Sequence, residues 1–238
     1  YALDPAEALA AADIVLLGVP LGAIRSVLEQ IRAHLPEEAI VTDVGSAKAC
    51  VVQDVAAVLG AGFRRFVPGH PIAGTEHSGI DAAFPGLFTG RRVILTPSAA
   101  TDPAAVETIQ ALWEAAGATV VSMSVEHHDR MLAMTSHLPH MLAFGLVDSL
   151  ARDPAHDEIL RYAAGGFRDF TRIASSDPVM WRDICLGNRD ALLEALSAYR
   201  DDIDQLAALI ERQDGSGLEG IFRRAKRTRD AYLTWFED

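Results

Sequence analysis

Residues 13–20 read Asp-Ile-Val-Leu-Leu-Gly-Val-Pro, an apolar run without polar alternation. Such a run fits a strand covered on both faces rather than one half-exposed to water. The period then changes. Ile24, Val27, Leu28, Ile31 and Leu35 recur at helical spacing, so a helix is predicted over residues 21–35. Ile40-Val41-Thr42-Asp43-Val44 predicts a second buried strand, and Gly45-Ser46-Ala47-Lys48 leads from it into a helix over 49–59. Further strands are predicted at 65–68, 93–96 and 119–123, and a helix at 104–116. Near the start, Asp4-Pro5 supplies an N-cap followed by a proline at the first helical position. Strands alternating with helices predict βαβ units and a parallel sheet.

After Ser124 the pattern offers no further strand. Residues 125–150 are long, apolar and His-rich, with Pro139 inside. A proline there removes a backbone hydrogen bond and is expected to kink or break the helix. Helices are predicted at 157–164, from 178 to 197 or beyond, at 202–212 and, after Gly215-Ser216-Gly217, at 218–236. The change of texture near 122–125 divides the chain into an α/β part, 1–123, and an all-helical part, 124–238.

Half of the 238 residues are apolar, enough for a sizeable core in one or two domains. The formal charge of −12 argues against a nucleic-acid surface, so an anionic ligand would need a few focused arginines. Cys50 and Cys185 match no zinc spacing and suit a reducing cytoplasmic setting. No apolar run reaches membrane-spanning length, and no signal-peptide pattern precedes Tyr1.

Four clusters carry chemistry. Asp43-Val44-Gly45-Ser46-Ala47-Lys48 stands at the carboxyl end of a predicted strand, where open α/β sheets bind ligands. Ser46 suits a helix N-cap or a hydrogen bond to a catalytic histidine, and Lys48 reads as solvated. The second cluster is the turn-rich loop Gly69-His70-Pro71-Ile72-Ala73-Gly74-Thr75-Glu76-His77-Ser78-Gly79. His70 is its candidate general base, since imidazole titrates near neutrality and Pro71 restricts the residue before it. Thr75 and Glu76 suit substrate contacts or loop capping. The third cluster joins Glu126-His127-His128-Asp129 to Ser136-His137-Leu138-Pro139-His140. A metal site is the competing idea, but Pro139 interrupts the helix it needs and no HExxH or fourth ligand is present. A pocket wall of hydrogen-bonding histidines fits better, with His127 read as a core histidine. The fourth cluster runs from Gly165-Gly166-Phe167-Arg168 through Thr171-Arg172 to Trp181. Arg172 with Thr171 suits an anion clamp, whereas Arg168 suits pairing with Asp169 or Asp177.

Taken together and in this order, these motifs resemble the prephenate/arogenate dehydrogenase family of tyrosine biosynthesis, over the whole chain. The resemblance implies a Rossmann-type nucleotide-binding domain followed by a helical dimerisation domain, hence a homodimer. It implies oxidation of prephenate or arogenate by NAD or NADP, with loss of CO₂ to give 4-hydroxyphenylpyruvate or tyrosine. It assigns His70 as the catalytic residue that accepts the ring-hydroxyl proton, Ser46 as the residue that orients it, and Arg172 as the clamp on a substrate carboxylate. His140, Ser136, Thr75 and Trp181 match the substrate pocket, and His128 with Asp129 a pair beside it. Glu76 falls where the substrate side chain is sensed, so its carboxylate would favour the ammonium of arogenate. Val19, Pro20 and Ser46 fall on the cofactor side.

One departure stands out. The family's opening strand, GxGxxG turn and ribose-reading strand have no counterpart here, and Gly18 and Gly22 do not supply them. The expected fold is therefore α/β with a partial, N-terminally truncated Rossmann-type sheet, whose first strand at 13–19 is left as an edge. A non-catalytic fragment that binds tyrosine-like ligands, and a metal hydrolase built on the histidines, are the alternative readings.

Overall fold

The computed structural model describes residues 2–74, 79 and 83–233. By compactness they form two units, one ending at Leu192 and the other beginning at Leu193.

In the first unit, α1 (Pro5–Leu9) starts as the Asp4-Pro5 pair predicts, with the Asp4 carboxylate accepting from the Ala6 N–H. Strand β1 (Ile14–Leu17) pairs in parallel with β2 (Ile40–Asp43), and β2 with β3 (Phe66–Val67). A 3₁₀ turn (Leu21–Ala23) and α2 (Ile24–Ile31) connect β1 to β2, and α3 (Ala49–Leu59) connects β2 to β3. Neighbouring strand positions feed opposite faces of the sheet. Val41 and Phe66 join Leu17, Ile24, Leu28 and Val51 in one core, while Ile40 and Val67 join a second core with Val93, Leu95, Ile109 and Trp113. Both faces are thus covered, which is why the strand sequences show no polar alternation. Each such side chain, fully buried, contributes about 1.5–3 kcal/mol. Among the described residues β1 pairs with β2 alone and stands at the sheet edge, with Leu16 exposed.

The sheet changes character at Pro68. Beyond it, β4 (Gly69–Pro71) runs antiparallel to β5 (Arg92–Leu95), which pairs in parallel with β6 (Thr119–Ser122). Pro68 has no N–H for a ladder, but its carbonyl accepts from Thr96. Residues 66–71 therefore bond to β2 in their first half and to β5 in their second. His70 lies in β4, within the sheet, and not in the open loop expected from the sequence. Helix α4 (Pro103–Ala115), capped by Asp102, precedes β6.

From Ser124 onward the described residues are helical. The expected break at Pro139 does not occur. Helix α5 (Val125–Leu132) passes through a π turn (Ala133–His137) directly into α6 (Leu138–Ala151). The wider turn takes up the misfit that a proline creates in an α-helical ladder. Helix α7 (His156–Arg161) follows. Gly165 opens α8 (Gly165–Thr171), which tightens into a 3₁₀ turn (Arg172–Ser175). Helix α9 (Pro178–Gly187) ends at Asn188, and α10 (Arg189–Glu211) runs on where two helices were expected. The second unit holds α10 from Leu193 and α11 (Gly215–Leu233), whose start is held by Asp214 accepting from the Gly217 N–H.

Candidate active site

The site begins at the carboxyl end of β2. Lys48, expected in solvent, is fully buried. Its ammonium pairs with the Asp43 carboxylate and donates to the Gly69 carbonyl at 2.7 Å. Asp43 in turn accepts from the N–H groups of Gly45, at 2.8 Å, and Gly69, at 3.1 Å. The Asp43–Lys48 pair thus grips both polar groups of Gly69, the residue just before His70. Both partners are charged and every contact is a charge-assisted hydrogen bond, the condition under which buried ions are tolerated. Gly69 leaves no room for a side chain, since a Cβ there would stand 2.9 Å from the Asp43 backbone carbonyl oxygen. Gly45 is tight in a softer way: its Cβ would meet the Leu21 side chain at 2.7 Å, so the turn after β2 packs against the 3₁₀ turn after β1.

His70 itself is buried, and its Nδ1 lies 2.9 Å from Nε2 of His128 on α5. His128, with no exposed surface, places its own Nδ1 2.7 Å from Asp129 Oδ1. Asp129 also accepts the backbone N–H of Lys48, at 2.8 Å, and of Ala49, at 2.9 Å. It therefore caps the N-terminus of α3, the role the sequence offered to Ser46; no side chain from the preceding turn does so. Both ring nitrogens of His128 are engaged, so it lies behind His70 and offers no ring nitrogen to a substrate. Asn188 extends the network, donating to the Asp129 carbonyl at 2.7 Å and standing 3.0 Å from Nδ1 of His137.

Electrostatics follow from this packing. Burial, the largest cause, holds His70 well below the usual imidazole range, and the Lys48 ammonium acts in the same direction, so the ring is neutral at neutral pH. Burial also pushes His137 down to about 4. For Asp129 burial acts upward, but the bonds from His128 and from the Ala49 and Lys48 N–H groups outweigh it and keep the carboxylate ionised. Burial pushes the Cys50 thiol up to about 11, and both cysteines are free.

A second wall comes from the helices. His140 stacks on Trp181, with ring centroids 3.7 Å apart and planes 17° apart. Its Nδ1–H donates to the Ser136 carbonyl at 2.9 Å, which leaves Nε2 as an acceptor. Burial lowers the His140 pKa, and the positive charge of Arg172 adds to the effect. His137 meets Trp181 edge-on at 6.1 Å, joining this wall to the His128–Asp129 network. Trp181 also lines an apolar pocket of about 190 Å³ with Met141, Phe144, Pro178, Arg182 and Cys185.

The structure thus brings His70, Ser46, His128, His140, Ser136, Arg172 and Trp181 into one compact unit. No hydrogen bond joins Ser46 to His70 among the described residues; the partner of the His70 ring is His128. Thr75 and Glu76 lie outside the described residues. Val19 is half-buried and Pro20 exposed at the carboxyl end of β1, directly before the 3₁₀ turn. His127 is exposed rather than in the core, and Arg168 pairs loosely with Asp169 at the surface. Among the described residues no three His, Cys, Asp or Glu side chains converge as metal ligands. Likewise, no described helix is long and apolar enough to cross a membrane. Sequence reasoning missed Asn188, which has no local signal. It also missed the inward turn of Lys48, although that residue follows a buried aspartate across one tight turn.

A parallel sheet with helices on both faces, a polar site at its carboxyl edge and a helical second half define a nucleotide-binding α/β protein. The chain belongs to the prephenate dehydrogenase family. Residues 1–122 match the nucleotide-binding domain of prephenate dehydrogenase and residues 124–224 its dimerization domain. The chain is 40% identical over 233 residues to the cyclohexadienyl dehydrogenase of Zymomonas mobilis, covering 97% of this chain and 79% of that one. It is 40% identical over 222 residues to the prephenate dehydrogenase of Bacillus subtilis, covering 92% of this chain and 59% of that one. Among solved structures, the prephenate dehydrogenase of Aquifex aeolicus in complex with hydroxyphenyl propionate and NAD+ superposes with a TM-score of 0.89 at 39% identity, covering 97% of this chain and 80% of that one. The arogenate dehydrogenase of Synechocystis gives a TM-score of 0.82 at 32% identity, covering 97% and 82%.

Proposed function

We propose that this protein oxidatively decarboxylates prephenate or arogenate, with His70 as general base. The observation that carries this reading is the buried, neutral His70, fixed on β4 in the same unit as the His140–Trp181 wall and Arg172. His70 accepts the proton of the ring hydroxyl: the O–H bond breaks and an N–H bond forms on the imidazole. The same carbon gives up its hydride, and the C–C bond to the ring carboxylate breaks to release CO₂ as the ring becomes aromatic. A nicotinamide cofactor, NAD or NADP, supplies the hydride acceptor.

The residues present suit that cofactor's reactive end. Val19 and Pro20 offer an apolar surface at the carboxyl end of β1, and Ser46 follows the carboxyl end of the neighbouring strand β2. Arg172 binds a substrate carboxylate; His140, whose Nε2 has no hydrogen-bond partner among the described residues, and Trp181 line the substrate, with Ser136 four residues before His140. Thr75 and Glu76 are assigned to the substrate side chain. The functional division is placed between residues 123 and 124, with nucleotide binding before it and substrate binding and dimerisation after it.

Purified protein mixed with prephenate or arogenate and NAD or NADP should show reduced cofactor at 340 nm; no turnover in any of the four combinations would overturn this reading. Arg172→Gln removes one charge-assisted contact, so KM is expected to rise roughly ten- to hundredfold with kcat nearly unchanged. A fall in kcat alone would place Arg172 elsewhere in the reaction.

The protein is expected to be a dimer through its helical part. Leu193, Ile203, Ile210 and Phe222 are more than two fifths exposed, and removing such area from water yields about 25 cal/mol per Å². Light scattering at micromolar concentration should report twice the chain mass, and a monomer would contradict the assignment.

A further inference from the structure

The hydrogen bonds behind His70 have a direction. Asp129 is an ionised carboxylate and can only accept, and it already accepts two backbone N–H groups at the start of α3. The His128 Nδ1 beside it must therefore be the protonated nitrogen and donate. In a neutral His128 that leaves Nε2 as an acceptor, and the atom facing it at 2.9 Å is Nδ1 of His70. His70 Nδ1 must then carry the proton and donate. Its Nε2, which has no hydrogen-bond partner among the described residues, keeps the lone pair.

We propose that His128 is a positioning residue that holds His70 in the Nδ1–H tautomer, with Asp129 as the anchor that sets the direction of the chain. The inference rests on the reading of His70 as general base and specifies how that base is kept competent. Imidazole in water favours the opposite tautomer, with the proton on Nε2, which would present a donor where a lone pair is needed. The ordering cost is met by the fold: His128 and Asp129 are buried, consecutive on α5, and tied to α3 through the Lys48 and Ala49 N–H groups and to α9 through Asn188. When His70 takes up a proton at Nε2, the positive charge lies at one end of a chain whose other end is the Asp129 carboxylate. Among the described residues, the titratable groups that act electrostatically on His70 are His128 from α5, Lys48 from the turn before α3, and His137 from the π turn.

The test separates tautomer from activity. In ¹⁵N-labelled full-length protein, the two His70 nitrogens are assigned by their loss in His70→Asn. The wild type should show a pyrrole-type Nδ1 and a pyridine-type Nε2. His128→Leu removes the acceptor, so the His70 signals should move toward the reverse tautomer. Its kcat should fall about 10²–10⁴-fold, the range a general base supplies, with KM within about threefold. In His128→Gln the amide oxygen can replace Nε2 as acceptor, and activity should recover to within about tenfold of wild type. A wild-type His70 protonated on Nε2, or full activity in His128→Leu, would overturn the proposal. So would a His128→Gln variant as impaired as His128→Leu while both keep wild-type melting temperatures. If His70→Asn itself were fully active, the general-base reading would fail, whereas the tautomer measurement would still stand or fall alone.

Discussion

His70→Asn is expected to lower turnover about 10²–10⁴-fold while leaving the fold and substrate binding intact, because it removes a proton acceptor from a site that other side chains shape. Asparagine keeps a polar group near His128 but has no basic nitrogen. The pH profile gives a second readout. Burial, with the Lys48 ammonium acting in the same direction, depresses the His70 pKa, so the base form persists as pH falls past about 6.5, the ordinary imidazole value. The acid limb of kcat/KM should therefore lie below that pH in the wild type and vanish in the variant. An unchanged kcat, or an effect on KM alone, would make His70 a binding residue. The same depression links to stability. Where the unfolded chain binds more protons than the folded one, stability rises with pH. The contribution of neutral His70 and His137 is thus complete above about pH 6.5 and is lost as pH falls through their folded values, which for His137 is about 4.

Lys48→Met should be the most destabilising single change near the site. It leaves the Asp43 carboxylate buried without its cation, and breaking a buried pair in this way costs about 3–5 kcal/mol. The Gly69 carbonyl loses its donor at the same time, which loosens the backbone just before His70. The urea midpoint should drop with little change in slope, and the melting temperature should fall on the order of 10 °C. A loss below about 1 kcal/mol would mean that water or a neutral Asp43 replaces the pair, and that the grip on Gly69 is dispensable.

What was legible in the sequence is what short-range physics encodes. Apolar residues without polar alternation marked β1 and the start of β2, because a sheet packed on both faces has no polar side to alternate with. Asp4-Pro5 marked the start of α1 because the cap bond spans two residues. The loss of strand patterning after Ser124 marked the change from sheet to helices. The order of the motifs from Asp43 to Trp181 carried the family, since residue types spaced along a chain are themselves sequence information.

What only the tertiary structure decided depends on where distant segments meet. Pro139 was expected to kink or break the helix through its missing N–H, but the helix continues across it, and a π turn absorbs the misfit. Lys48 was read as solvated from its charge, but a buried carboxylate and a carbonyl on a different strand outweigh its preference for water. His128 was read with Asp129 as a pair beside the substrate pocket, but its ring partner, His70, is 58 residues away, a pairing that no local pattern encodes. The direction of the proton chain from Asp129 to His70 depends further on two backbone N–H groups at the head of α3. The sequence by itself determined which residue types were available to the site and on which elements they lie. The packing of α5 against the start of α3 decided which of them touch, because hydrogen bonds act over about 3 Å and only folding brings those atoms within that reach.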